Sequence, residues 1–103
     1  MRAHIAIDKH RLRQFCRDWQ VTELSLFGSV LRADFGPESD VDVLVTFDAA
    51  AHPSLTGLLQ MEEELASMLG RKVDLVTRRS VEESANYIRR KAILGSAEPL
   101  YAG

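Results

Sequence analysis

The apolar residues of this chain fall into blocks whose spacing switches between that of a helix and that of a strand. Leu12, Phe15, Cys16 and Trp19 recur at three- and four-residue intervals, which predicts a first helix with one buried face. Asp8 suits its N-cap, and Ile7 is placed to staple onto Leu12. A strand is expected over residues 23–27, ending at Gly28, where the backbone must turn. Residues 29–34 have room for one or two helical turns before Gly36-Pro37 breaks them. Val41 to Phe47 is apolar or β-branched at nearly every position, as expected of a strand covered on both faces. Asp40 and Asp42 interrupt its start and share one side.

Residues 49–53 read as a loop. Ser54 then caps a long helix carrying Leu55, Leu58, Leu59, Glu62, Leu65, Met68 and Leu69, with Gly70 as its stop. A third strand is expected over residues 72–77, with Asp74 on the side opposite Val73 and Leu75. Ser80-Val81-Glu82-Glu83 fits a capping box, opening a last helix through about Leu94 that Gly95 ends. A tail over residues 98–101 carries Leu100 and Tyr101, expected to dock it back onto the fold or, alternatively, to fill a groove on a partner. The order α-β-(short α)-β-α-β-α describes a layered α/β or α+β domain. The connection between the first two strands does not decide between parallel and antiparallel pairing.

Bulk properties narrow the possibilities. At 103 residues, one domain spanning residues 1–103 is expected. A net charge of −2 gives no global attraction to DNA or RNA. The basic clusters Arg71-Lys72, Arg78-Arg79 and Arg89-Arg90-Lys91 read as solvated ends of elements, and Glu62-Glu63-Glu64 as a solvated acidic face. Cys16 is the single cysteine, which rules out an internal disulfide and fits a reducing, cytoplasmic compartment. No secretion signal is expected, since residues 1–4 lead into mixed polar sequence, and no apolar run approaches the roughly 20 residues of a membrane span. His4, His10 and His52 share no zinc-like spacing with Cys16. Trp19, Tyr87 and Tyr101 read as packing or partner contacts, since no aromatic-basic ladder accompanies them.

The chemistry is concentrated in three places. Gly28 lets a backbone approach a phosphate closely, Ser29 adds a hydroxyl, and Arg32 about one helical turn later adds a charge. Asp40 and Asp42, at i and i+2 of a strand, lie about 6.5–7 Å apart on one face. Hard Mg²⁺ prefers such carboxylate oxygens. Two-metal sites hold ions roughly 3.5–4 Å apart, and Asp74 on another strand is the candidate third carboxylate. A buried, unpaired carboxylate there would be costly, and a metal or cation would offset it. Each part alone occurs in ordinary turns. Their conjunction in one order is what suggests a nucleotidyl-transfer site.

Gly28-Ser29, ten intervening residues, then Asp40-Val41-Asp42 match the nucleotidyltransferase pattern Gly-Ser-x10-Asp-x-Asp, with Arg32 in its Gly-Ser-x-x-Arg form. The chain resembles the minimal nucleotidyltransferase (MNT) group of the polymerase-β-type superfamily from about Leu12 to Tyr101. The resemblance implies a small mixed sheet flanked by helices. It also implies the antitoxin half of a HEPN–MNT toxin–antitoxin pair, using ATP and Mg²⁺, with two ions expected, to attach AMP to a tyrosine of the HEPN ribonuclease. By matching position, Gly28 and Ser29 would hold phosphates and Arg32 would support them. Asp40 and Asp42 would bind metal. Asp74 would complete the metal site and help activate the attacking hydroxyl. Ala33 departs from the glycine that many relatives carry after the arginine.

Two other functions fit the same residues. One is an antitoxin that neutralises by binding alone, its triphosphate site vestigial or regulatory. The other is nucleotidyl transfer to a small molecule. A chain of this size leaves no added domain to form a substrate pocket, which favours a partner protein as acceptor.

Overall fold

The structure, a computed structural model, describes residues 8–28, 40–51 and 53–102. Helix α1 (Lys9–Asp18) leads into β1 (Val21–Phe27), and β2 (Val41–Phe47) follows. Helix α2 (Leu55–Leu69) crosses to β3 (Val73–Thr77), and α3 (Arg78–Glu82), α4 (Tyr87–Ser96) and β4 (Glu98–Ala102) complete the chain. The sheet order is β3-β2-β1-β4. β1 runs antiparallel to both β2 and β4, whereas β2 and β3 are parallel, so the sheet is mixed. The pairing the sequence leaves open is therefore antiparallel.

The capping residues perform as their chemistry requires. Asp8 accepts hydrogen bonds from the His10 and Arg11 amides, and Ser54 Oγ accepts from Gly57 N–H. Each satisfies donors that a first helical turn leaves orphaned. Gly70 ends α2 in the left-handed region at φ 68°, where a Cβ would be strained.

Alternation along the strands divides the apolar residues between two cores. Val41, Val43 and Val45 of β2 join Leu24, Leu26 and Val73 against Leu12, Phe15 and Cys16 of α1 and Met61 and Leu65 of α2. Leu44 faces the other way, with Phe27, under Val81 of α3 and Ile93 of α4. Helices thus cover both faces of the sheet, and β2 is apolar on both because both are buried.

Three expectations need correction. The last helix is two helices. Thr77, not Ser80, is the cap: its Oγ1 accepts from Ser80 N–H, so α3 starts earlier, and Glu83 turns to Arg79 instead of closing a capping box. A break follows, held by Ser84 Oγ accepting from Asn86 N–H, and Asn86 recaps α4 through Arg89 N–H. Arg90 reaches back to the Glu82 and Ser84 carbonyls, satisfying acceptors the break exposes. Second, α4 runs past Gly95 to Ser96. Third, the tail docks through Leu100 and Tyr101 on the main core as expected, but it does so as a strand, β4, paired with β1. Pro99 is tolerated there because β4 is an edge. The expected turn of helix over residues 29–34, His4 and His52 lie outside the described residues. Among the described residues, no helix is long and apolar enough to cross a membrane.

Candidate active site

The register of the sheet brings two of the three carboxylates together. Asp42 pairs with Phe27 on β1 and with Asp74 on β3. Residues paired across neighbouring strands point to the same face, with strands about 4.8 Å apart. Asp42 and Asp74 therefore stand side by side on the face that buries Phe27 and Leu44. Asp40 immediately precedes β2 and is exposed. Strand alternation puts it on the Asp42 side, about 6.5–7 Å along the chain.

Asp42 is half-buried, and Asp74 is exposed. The expectation that Asp74 is buried is thus not met. β3 is an edge strand, and the smaller core reaches only Val76 on it, leaving Asp74 beyond the helical cover.

Gly28 closes the site from β1. Its φ is +76°, a region that residues with a Cβ rarely adopt. A Cβ built there would collide with the Asp42 carboxylate, standing 3.2 Å from its carbon. The glycine therefore provides the turn and also the space in which Asp42 places its oxygens. Ser29 and Arg32 lie outside the described residues.

The donor set fits a hard cation: carboxylates on adjacent strands, one packed into the recess that a missing side chain leaves. Among the described residues, no three His, Cys, Asp or Glu side chains already converge on a single point. At the i, i+2 spacing, Asp40 and Asp42 can converge on one or two ions.

A sequence reading of the Glu62–Glu64 run as a solvated face misses two contacts. Glu62 Oε2 accepts from the Leu75 N–H at 3.1 Å, in a part-buried setting. Glu64 Oε2 accepts from the indole of Trp19 at 2.7 Å. The sequence signal for Glu62 was present: it sits on the stripe of Leu58 and Leu65, three or four residues away on the face α2 buries.

A separate cleft of about 410 Å³ opens at the far end of β2, lined by Phe47, Pro53, Leu58 and Arg78 among others. It contains none of the candidate residues among those described. Arg78 there is already paired with Glu23 at 3.4 Å and Glu82 at 3.5 Å.

The chain is similar to known proteins in both sequence and fold. The family model described as a nucleotidyltransferase domain matches residues 9–94. Over 62 residues the chain is 42% identical to the protein adenylyltransferase MntA of Thermococcus cleftensis, covering 60% of this chain and 61% of that protein. Over 63 residues it is 41% identical to a Methanocaldococcus jannaschii protein provisionally named a protein adenylyltransferase, covering 61% of this chain and 63% of that one. The chain thus spans less than two thirds of the length of these curated relatives. The solved complex of a tri-AMPylated Shewanella oneidensis HEPN toxin with its MNT antitoxin contains a chain of the same fold. It superposes with a TM-score of 0.62 at 25% identity, covering 92% of this chain and 70% of that one.

Proposed function

Because the chain belongs to the nucleotidyltransferase-domain family, we propose that it transfers AMP from ATP to a tyrosine hydroxyl of a HEPN-type toxin and so acts as its antitoxin. The observation that carries this reading is the placement of Asp42: in register with Asp74 and seated against Gly28. Relatives named protein adenylyltransferases and the fold of the AMPylated toxin–antitoxin complex support it.

Asp40, Asp42 and Asp74 would hold Mg²⁺, which neutralises the triphosphate and polarises the α-phosphorus when bound. Gly28 admits the phosphates, and Ser29 and Arg32 add a hydroxyl and a positive charge to that grip. The Asp74 carboxylate, exposed at the edge of the sheet, is accessible to an acceptor from outside. It orients the tyrosine hydroxyl and takes its proton. The tyrosine oxygen bonds to the α-phosphorus, the bond from that phosphorus to the β-bridging oxygen breaks, and pyrophosphate leaves. The acceptor arrives on another protein, which forms the outer wall of the site.

The test is to incubate the chain with ATP, Mg²⁺ and the HEPN protein encoded beside it, and to weigh that protein. A mass increase of one or more AMP groups is expected, abolished by Asp42→Asn. An unmodified partner under every condition, with a folded chain, rejects the reading. Neutralisation by Asp42→Asn without AMP transfer favours occlusion instead.

A further inference from the structure

We infer that Glu62 is a positioning residue for Asp74: its carboxylate pins the edge strand that carries the third metal-site carboxylate. The inference rests on the transfer reading above.

β3 is five residues long and, among the described residues, lies at the edge of the sheet with a single strand neighbour. Such a strand has half its backbone groups unpaired. The ladder to β2 begins with Val41 N–H donating to the Lys72 carbonyl at 2.9 Å. Successive N–H groups along a strand point to opposite sides, so in this register the Asp74 and Val76 amides face β2. The Leu75 amide, between them, faces outward. Glu62 Oε2 accepts from that amide at 3.1 Å.

The peptide so held is the one joining Asp74 to Leu75. Asp74 is thereby gripped on both sides: its own N–H faces the β2 ladder, and the following peptide is tied to α2. The anchor itself is rigid, because Met61 and Leu65 of the same helix are fully buried in the main core. A carboxylate acceptor gives a charge-assisted bond, stronger than a neutral one. It also occupies the amide that another strand would otherwise recruit. The contact Glu62 makes is with the backbone of β3, not with the Asp74 carboxylate. It acts by limiting how far Asp74 can move relative to Asp42.

Two variants separate positioning from bulk. Glu62→Gln keeps an oxygen acceptor of the same reach. Glu62→Met keeps the length and helix propensity but removes a competent acceptor. Three quantities are read: amide exchange of Leu75 without metal or nucleotide, Mn²⁺ affinity by electron paramagnetic resonance, and AMP transfer as Mg²⁺ is titrated. In Glu62→Met, Leu75 exchange is expected to rise about tenfold or more while the Asp74 and Val76 amides stay protected. Mn²⁺ affinity and the Mg²⁺ requirement should weaken by about tenfold, within the range for residues that orient metal ligands. The KM for ATP at saturating Mg²⁺ should stay within about twofold. Glu62→Gln should restore all three.

Several results overturn the inference. These are Mn²⁺ affinity unchanged in Glu62→Met despite exposed Leu75 exchange, Leu75 exchange unchanged, a Gln variant as impaired as Met, or loss of the fold in every variant lacking the acceptor. If the wild-type chain transfers no AMP, the transfer reading fails, and Leu75 exchange and Mn²⁺ affinity still judge Glu62.

Discussion

Gly28 leaves β1 with its α-carbon against the carboxylate of Asp42, a residue it meets only because β1 and β2 pair antiparallel. A side chain at position 28 has two costs. The left-handed φ of +76° disfavours any Cβ by about 1–2 kcal/mol. The Cβ must also push the carboxylate aside. Gly28→Ala should therefore remain folded, with stability lowered by at least that amount in urea unfolding. Its AMP transfer should fall by about 100-fold, the scale for displacing a reacting group by an ångström. Wild-type transfer rates in this variant would show that the contact is unused.

Asp42→Asn and Asp74→Asn should separate chemistry from stability. Asp74 is exposed, so its substitution should move the unfolding free energy by no more than about 0.5 kcal/mol. Transfer should nevertheless drop beyond the roughly 10–100-fold seen for groups that merely support a ligand. Thermal melts and transfer rates on the same samples check this. An active Asp74→Asn would remove that residue from the site.

Cys16 is fully buried between α1 and the sheet, and burial pushes its thiol pKa from 9.0 up to about 12. The folded state thus retains a proton that the unfolded chain gives up. Stability from this group is intact below about pH 9 and declines as pH rises from there toward about 12. Urea unfolding between pH 8 and 10.5 should show this fall, and Cys16→Ala should flatten it. Native protein at pH 8 should also resist iodoacetamide until denaturant is added.

Trp19 donates its indole N–H to Glu64 at 2.7 Å, tying the end of α1 to α2. Glu64→Leu should lower stability by about 0.5–1 kcal/mol. Glu64→Gln should recover most of it, because an oxygen acceptor remains. Trp19 is the single tryptophan, so its fluorescence during urea unfolding reports the same contact directly. Equal stability of the Leu variant and wild type would mark the bond as dispensable.

What the sequence makes legible is what depends on neighbours along the chain. Asp8, Ser54 and Gly70 were readable as caps because capping is settled within a few residues. Asp40 and Asp42 were readable as a pair because strand alternation is local. What escaped depends on the sheet. The partner of β1 on its free side is hidden because Gly95 and Pro99 resemble an ending, and the half-buried Leu100 and Tyr101 give a weak alternation. The break after α3 was hidden because Ser80 and Glu83 mimic a cap that Thr77 supplies. Asp74 was expected to be buried from its apolar neighbours. Its exposure follows from β3 being an edge, which is a property of strand order and not of the segment.

The position of β1 also sets an order of assembly. One of its neighbours, β2, is made soon after it; the other, β4, comes from residues 98–102. Pairings between segments so distant in sequence close late in folding. A nascent chain therefore has its three aspartates well before β1 is held from both sides. During synthesis β1 should stay open along one side until residues 98–102 have emerged, so that the strand bearing Gly28 gains its second neighbour long after its first.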